Sequence, residues 1–111
     1  MRIAIYGGSF DPVHIAHEAI VYEALKTIDL DLLILVPTFL NPHKKTSHLT
    51  PKDRLYLLNK NFLNIEKIKI SDYEILQNRA VNSIETIKYF KKLYKTDKIY
   101  LIIGADNYST F

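Results

Sequence analysis

The 111-residue chain has no cysteine and no tryptophan, and only three glycines and one methionine. Without thiols it can form neither a disulfide framework nor a thiolate metal site. No uninterrupted apolar run approaches the ~20 residues of a membrane span, and there is no repeat or low-complexity tract. Arg2 leads straight into an apolar segment, so no leader peptide and no membrane partner are expected, and a cytoplasmic location is. Single-sign charge is also scarce: 15 Lys and Arg against 12 Asp and Glu leave a net +3. Lys91, Lys92, Lys95 and Lys98 gather around one predicted helix end, where cations suit the helix dipole. Tyr94 is the one aromatic residue among them, short of the repeated interleaving that base stacking uses, so no nucleic-acid partner is expected.

What is present is enough for one small domain. Hydrophobic residues make up 48% of the chain, and their order reads as alternating strands and helices. Residues 2–6 form a short apolar run ended by Gly7-Gly8. Residues 16–27 have a helical period, with Ala16, Ala19, Ile20, Ala24 and Leu25 on one side. A second apolar run, 32–36, stops at Pro37. Residues 51–62 read as a helix with Thr50 as N-cap, Pro51 in the first position and a stripe of Leu55, Leu58 and Phe62. Residues 65–70 alternate as a third strand. Residues 82–94 are helical through Ile84, Ile87 and Phe90, and 99–103 is a fourth strand ended by Gly104. This β-α-β-α-β-α-β order predicts a Rossmann-like, doubly wound parallel sheet in three α/β/α layers. Ligands on such sheets bind beyond the carboxyl ends of the strands. Residues 7–17, 37–50, 71–83 and 104–111 all belong to those ends.

The first of these segments, Gly7-Gly8-Ser9-Phe10-Asp11-Pro12-Val13-His14-Ile15-Ala16-His17, has the parts of a phosphate site. Two glycines at a strand-to-helix turn would take positive φ and expose N–H groups. Asp11 before Pro12 suits an N-cap. His14 and His17 fall on one side of the first helical turn, where the dipole already favours an anion. Zinc would need a third ligand, and none is close in sequence, so no protein-held metal is expected.

That segment resembles the signature of the nucleotidyltransferase superfamily with the His-x-Gly-His motif, in the long form of the bacterial nicotinate-nucleotide adenylyltransferases. Ala16 stands where the family usually has Gly. Three more segments match in order. Asn41-Pro42-His43-Lys44 resembles the family's Pro-His-Lys loop. Ser83-Ile84-Glu85-Thr86 resembles the tail of its Ser-Tyr-Thr-x-Asp-Thr segment, with Asp72-Tyr73-Glu74-Ile75 similar to the acidic stretch before it. Gly104-Ala105-Asp106 resembles its Gly-Ala-Asp motif. The family's later Ile-Ser-x-Thr-x-x-Arg motif has no counterpart, so residues 1–111 are expected to be an incomplete N-terminal part of one nucleotidyltransferase domain. The unfinished last helix would leave apolar surface, and a homo-oligomer would be unsurprising.

The resemblance implies adenylyl transfer from ATP to nicotinate mononucleotide, giving deamido-NAD and pyrophosphate. It implies His14, His17 and Lys44 as catalytic residues. It implies Gly7, Gly8, Ser9, Phe10, His14, His17, Gly104 and Asp106 at ATP, and Ser9, Phe10, Asp11, His43, Lys44, Ser83, Thr86 and Asp106 at the mononucleotide. Mg²⁺ would be held mainly by ATP phosphates. The alternatives are a related enzyme using nicotinamide mononucleotide, phosphopantetheine or CTP, or a part that binds nucleotide without catalysis. In Lys44→Ala the approach of two anionic substrates should weaken, lowering kcat/KM for both in steady-state assays. A change confined to protein stability would refute a substrate role for Lys44.

Overall fold

The computed structural model describes residues 1–11, 13–39 and 49–102. Four strands, β1 (Ile3–Gly8), β2 (Leu32–Pro37), β3 (Ile68–Ile70) and β4 (Ile99–Ile102), form one sheet in the order β3-β2-β1-β4. Every neighbouring pair is parallel. Helix α1 (Ile15–Thr27) joins β1 to β2, and α2 (Pro51–Asn61) lies between β2 and β3. The short α3 (Tyr73–Leu76) and α4 (Ser83–Tyr94) lie between β3 and β4. Among the described residues no helix is long and apolar enough to cross a membrane.

Strand period 2 divides the core into two layers. Ala4 and Tyr6 of β1, with Leu33 and Leu35 of β2, pack with Val21 of α1 and Leu58 of α2. The alternate residues Ile3, Ile5, Ile34 and Val36 pack with Phe90 of α4. The central strands are therefore covered on both faces, which is why they read as unbroken apolar runs. The strand order reverses between β1 and β4. Beside β1, then, lies the crevice where such sheets take ligands.

The expected architecture holds, and so do the Thr50 cap and Pro51 at the start of α2. Three local expectations shift. Strand β3 starts at Ile68, not at 65, because Asn64 turns at φ 65° and Ile65 to Ile68 is bridged by its own turn hydrogen bond. The four-residue α3 is too short to show a period. Helix α1 buries His17, Val21 and Ala24, whereas Ala16 and Ala19 are exposed. The inward face is turned by about one position, because the His17 ring packs inward against Phe10.

Helix α4 ends at Lys95, whose backbone is left-handed at φ 54° and ψ 49°. A side chain there costs ~1–2 kcal/mol, and glycine would avoid it at some cost in chain entropy. Lys95→Gly should therefore raise stability by about 0.5–1 kcal/mol in denaturant unfolding. An unchanged midpoint would contradict the cap geometry.

Candidate functional site

The segment after β1 is built differently from a flexible glycine turn. Gly7 and Gly8 are the last two residues of β1, in register with Val36 and Pro37. Neither has positive φ; the left-handed residue is Phe10, at φ 48°. Its ring is wholly buried and meets Tyr6 edge-on at 5.3 Å and His17 at 4.9 Å. Burying a phenylalanine contributes about 1.5–3 kcal/mol, enough to offset the ~1–2 kcal/mol of left-handed backbone. A Cβ on Gly8 would lie 3.4 Å from that ring, an ordinary van der Waals contact, so the ring itself does not demand glycine here. Only the Phe10 backbone, not its side chain, is left to meet a ligand.

Asp11 is not the helix cap. It is buried, and its Oδ1 accepts from the Leu49 N–H at 3.2 Å. The cap is His14. Its Nδ1 accepts from the Ala16 N–H at 3.1 Å, and the His17 Nδ1 accepts from the His14 N–H at 3.0 Å. This is a capping box in which imidazoles replace the usual Ser/Thr and Glu/Gln. The extended backbone of His14, at φ −143° and ψ −178°, places it for the role. Because both Nδ1 atoms accept, each neutral ring carries its proton on Nε2. The two ring centroids are 3.9 Å apart, so two Nε2–H donors sit together at one helix N-terminus. Ala16 is an ordinary exposed helical residue, and its position demands no glycine backbone.

Sequence reasoning missed Arg54. It belongs to α2 and is 1% exposed. Its Nη1 donates to the Ser9 carbonyl at 2.6 Å and its Nη2 to the Phe39 carbonyl at 3.0 Å. Burial pulls its pKa below the usual arginine value, and the Asp11 carboxylate acts in the opposite sense. The overlooked signal was a charged residue at i, i+4 and i+8 spacing with Leu58 and Phe62, on the buried stripe of α2.

The segment before α4 follows β3 and carries the other hydroxyls expected at the site. Asn82 caps α4 by accepting from the Glu85 N–H at 2.8 Å. Ser83 is exposed at the first helical position. Thr86, expected to offer its hydroxyl to a ligand, is buried instead and donates to Glu74 Oε2 at 2.5 Å. Glu85 accepts from Arg79 and from the Tyr73 hydroxyl. Burial pushes the Glu74 carboxyl above its ordinary 4.5, the Thr86 hydrogen bond works against that, and neighbouring Glu85 adds to it.

A profile described as cytidylyltransferase-like matches residues 5–111. The chain belongs to the cytidylyltransferase-like family. Relatives assigned as nicotinate-nucleotide adenylyltransferases include one from Aliarcobacter butzleri, 56% identical over 107 residues, and one from Campylobacter fetus, 53% identical over 106. Each alignment covers 96% of this chain and 59% of the relative, so the chain spans about three-fifths of the length of these relatives. A structure assigned as a nicotinate-nucleotide adenylyltransferase from Vibrio parahaemolyticus superposes with TM-score 0.77 at 25% identity, covering 99% of this chain and 61% of that one. A nicotinic acid mononucleotide adenylyltransferase from Plasmodium falciparum shares the fold, with TM-score 0.72 at 23% identity over 90% of this chain and 50% of its own.

Of the expected site residues in this family member, Gly7, Gly8, Ser9, Phe10, Asp11, His14 and His17 lie in one continuous segment at the carboxyl end of β1. His43, Lys44, Gly104 and Asp106 lie outside the described residues, as do Pro12, Asn41, Pro42 and Ala105. Among the described residues no group of three or more His, Cys, Asp or Glu gathers to hold a metal. The donors at the α1 N-terminus are N–H groups that suit an anion.

Glu74 makes a pH dependence testable. A carboxyl whose folded pKa is raised binds its proton more readily in the folded state. Stability contributed through it is therefore lost as pH rises from its ordinary 4.5 through the raised value, and the loss persists above that value. Gln keeps an acceptor for Thr86 without the charge. Glu74→Gln should unfold at higher denaturant than the unaltered protein at neutral pH, with the difference shrinking towards pH 4.5. A difference independent of pH would show that Glu74 does not titrate in this way.

Proposed function

We infer that the chain carries the adenylyl-transfer centre of a nicotinate-nucleotide adenylyltransferase, joining ATP and nicotinate mononucleotide into deamido-NAD with release of pyrophosphate. The observation behind this reading is the pair of Nε2–H imidazoles held at the α1 N-terminus by their own caps. The identities above 50% to relatives of that assignment support it.

An oxygen of the mononucleotide phosphate attacks the α-phosphorus of ATP; the new O–P bond forms as the bond to the pyrophosphate oxygen breaks. A phosphate monoester has a second pKa near ~6, so the nucleophile is already largely ionised at neutral pH. No general base is needed, and none is assigned. What remains is to bring two anions together and to stabilise the charge that builds on the α-phosphate and the leaving group. His14 and His17 donate from Nε2 to phosphate oxygens. Gly7, Gly8, Ser9 and Phe10 offer backbone to the triphosphate. Lys44 and His43 lower the repulsion between the substrates. Gly104 allows close approach of the nucleoside, and Asp106 accepts from ribose hydroxyls. Ser83 remains as a hydroxyl for the pyridine carboxylate or ribose, and Thr86 supports it from the interior through Glu74. Mg²⁺, held by ATP phosphates and water, supplies counter-charge when bound.

The test uses the full-length protein with ATP or CTP against nicotinate and nicotinamide mononucleotides, reading pyrophosphate release. Preference for ATP with the nicotinate substrate is expected, and turnover with CTP alone would sink the reading. Because His17 also caps α1, His17→Glu separates its two roles: the carboxylate keeps a cap acceptor but offers no donor. With the ring contacts to Phe10 and His14 gone, this variant should melt lower, and at temperatures where it stays folded it should lose at least a factor of ~10²–10³ in kcat. Undiminished turnover would remove His17 from the chemistry.

A further inference from the structure

Among the described residues the Arg54 guanidinium donates to two backbone carbonyls, and they come from different loops. Ser9 belongs to the segment after β1, and Phe39 to the segment after β2. A planar fork fixes two acceptors in one plane, which a lysine ammonium cannot do. The side chain is 1% exposed, and its Nε has no hydrogen-bond partner among the described residues. Holding an incompletely satisfied cation in the interior is costly, so the two carbonyl contacts must be geometrically demanding. The Ser9 contact has a further effect. In a trans peptide the C=O and the following N–H point in opposite directions. Turning the Ser9 carbonyl towards Arg54 therefore aims the Phe10 N–H away from it. The left-handed φ of Phe10, 48°, is part of the same local geometry.

We propose that Arg54 is a positioning residue that orients the Ser9–Phe10 peptide as an anion donor and sets the spacing between the loops after β1 and β2. This rests on the adenylyl-transfer reading, in which the first loop meets ATP and the second meets the mononucleotide. It acts through backbone groups and touches neither substrate. Reactants must stand ~3–3.5 Å apart in line, and a displacement of ~1 Å can lower the rate by about 10²-fold. A residue that fixes the separation of the two loops therefore controls both affinity and rate.

The experiment compares Arg54→Lys, Arg54→Ala and Thr50→Ala in the full-length protein. Thr50 caps the same helix by accepting from the Asp53 N–H, so its loss lowers stability without touching either carbonyl. ATP affinity is read by calorimetry, kcat and KM by pyrophosphate release, and folding by thermal unfolding. Arg54→Lys is expected to weaken ATP about tenfold, as for loss of a charged hydrogen bond, and to lower kcat/KM about 10²-fold. Added guanidinium at millimolar concentration should restore ATP affinity to Arg54→Ala. Thr50→Ala should lower the melting temperature and leave ATP affinity intact. An Arg54→Lys protein that binds ATP like the unaltered one overturns the proposal. So does a Thr50→Ala protein that loses ATP affinity in proportion to its stability, and so does unfolding of both Arg54 variants. If the unaltered protein binds ATP but makes no dinucleotide, the reaction assignment falls, and ATP affinity still decides the part played by Arg54.

Discussion

The buried charge of Arg54 is the constraint on which the functional region depends. Its fork joins the Ser9 and Phe39 carbonyls, and Asp11, whose charge faces it, also accepts from Leu49. Thus α2, the segment after β1 and the end of the segment after β2 are tied at one point. Removing one partner of such a buried charge leaves the rest uncompensated, which typically costs about 3–5 kcal/mol. Apolar packing could hold α2 against the sheet, but it has no direction. The guanidinium has one, and it specifies how two peptide groups face.

A second economy lies at the N-terminus of α1. The atoms that cap the helix also set the histidine tautomers. Each Nδ1 is occupied by a backbone N–H, so each proton is left on Nε2. The His17 ring packs against Phe10, and the Phe10 ring against Tyr6 in the core. The imidazoles are therefore oriented by packing that continues into the sheet, not by a loose surface loop. Thr86 and Glu74 make a comparable buried contact elsewhere: a hydroxyl–carboxylate hydrogen bond ties α4 to α3, one turn from the exposed Ser83.

Much of this was legible in the chain itself. Unbroken apolar runs at 3–6 and 32–36, separated by a helical period, imply parallel strands covered on both faces, and that is how β1 and β2 pack. Thr50-Pro51 and Asn82-Ser83 announce helix starts because caps are local chemistry. The segment from Gly7 to His17 carries the parts of a phosphate site, but alone it does not separate such a site from a decorated turn; the resemblance to the family motif does that. These features depend on neighbours within about four residues, which is the range over which sequence pattern carries physical meaning.

Other features needed the third dimension. Whether Gly8 supplies a turn or continues the strand depends on its pairing with Pro37 of β2. Whether Thr86 faces a ligand or Glu74 depends on how α3 packs against α4, and α3 is too short to leave a period. Arg54 is the clearest case, since its partners lie 45 and 15 residues away. The sequence by itself determined the order of strands and helices, and that the segment from Gly7 to His17 follows the first strand, through local periodicity and capping. Only the tertiary structure decided which groups face that segment and which are spent holding it in place, because a buried hydrogen bond is assigned by distance in space and not by distance along the chain.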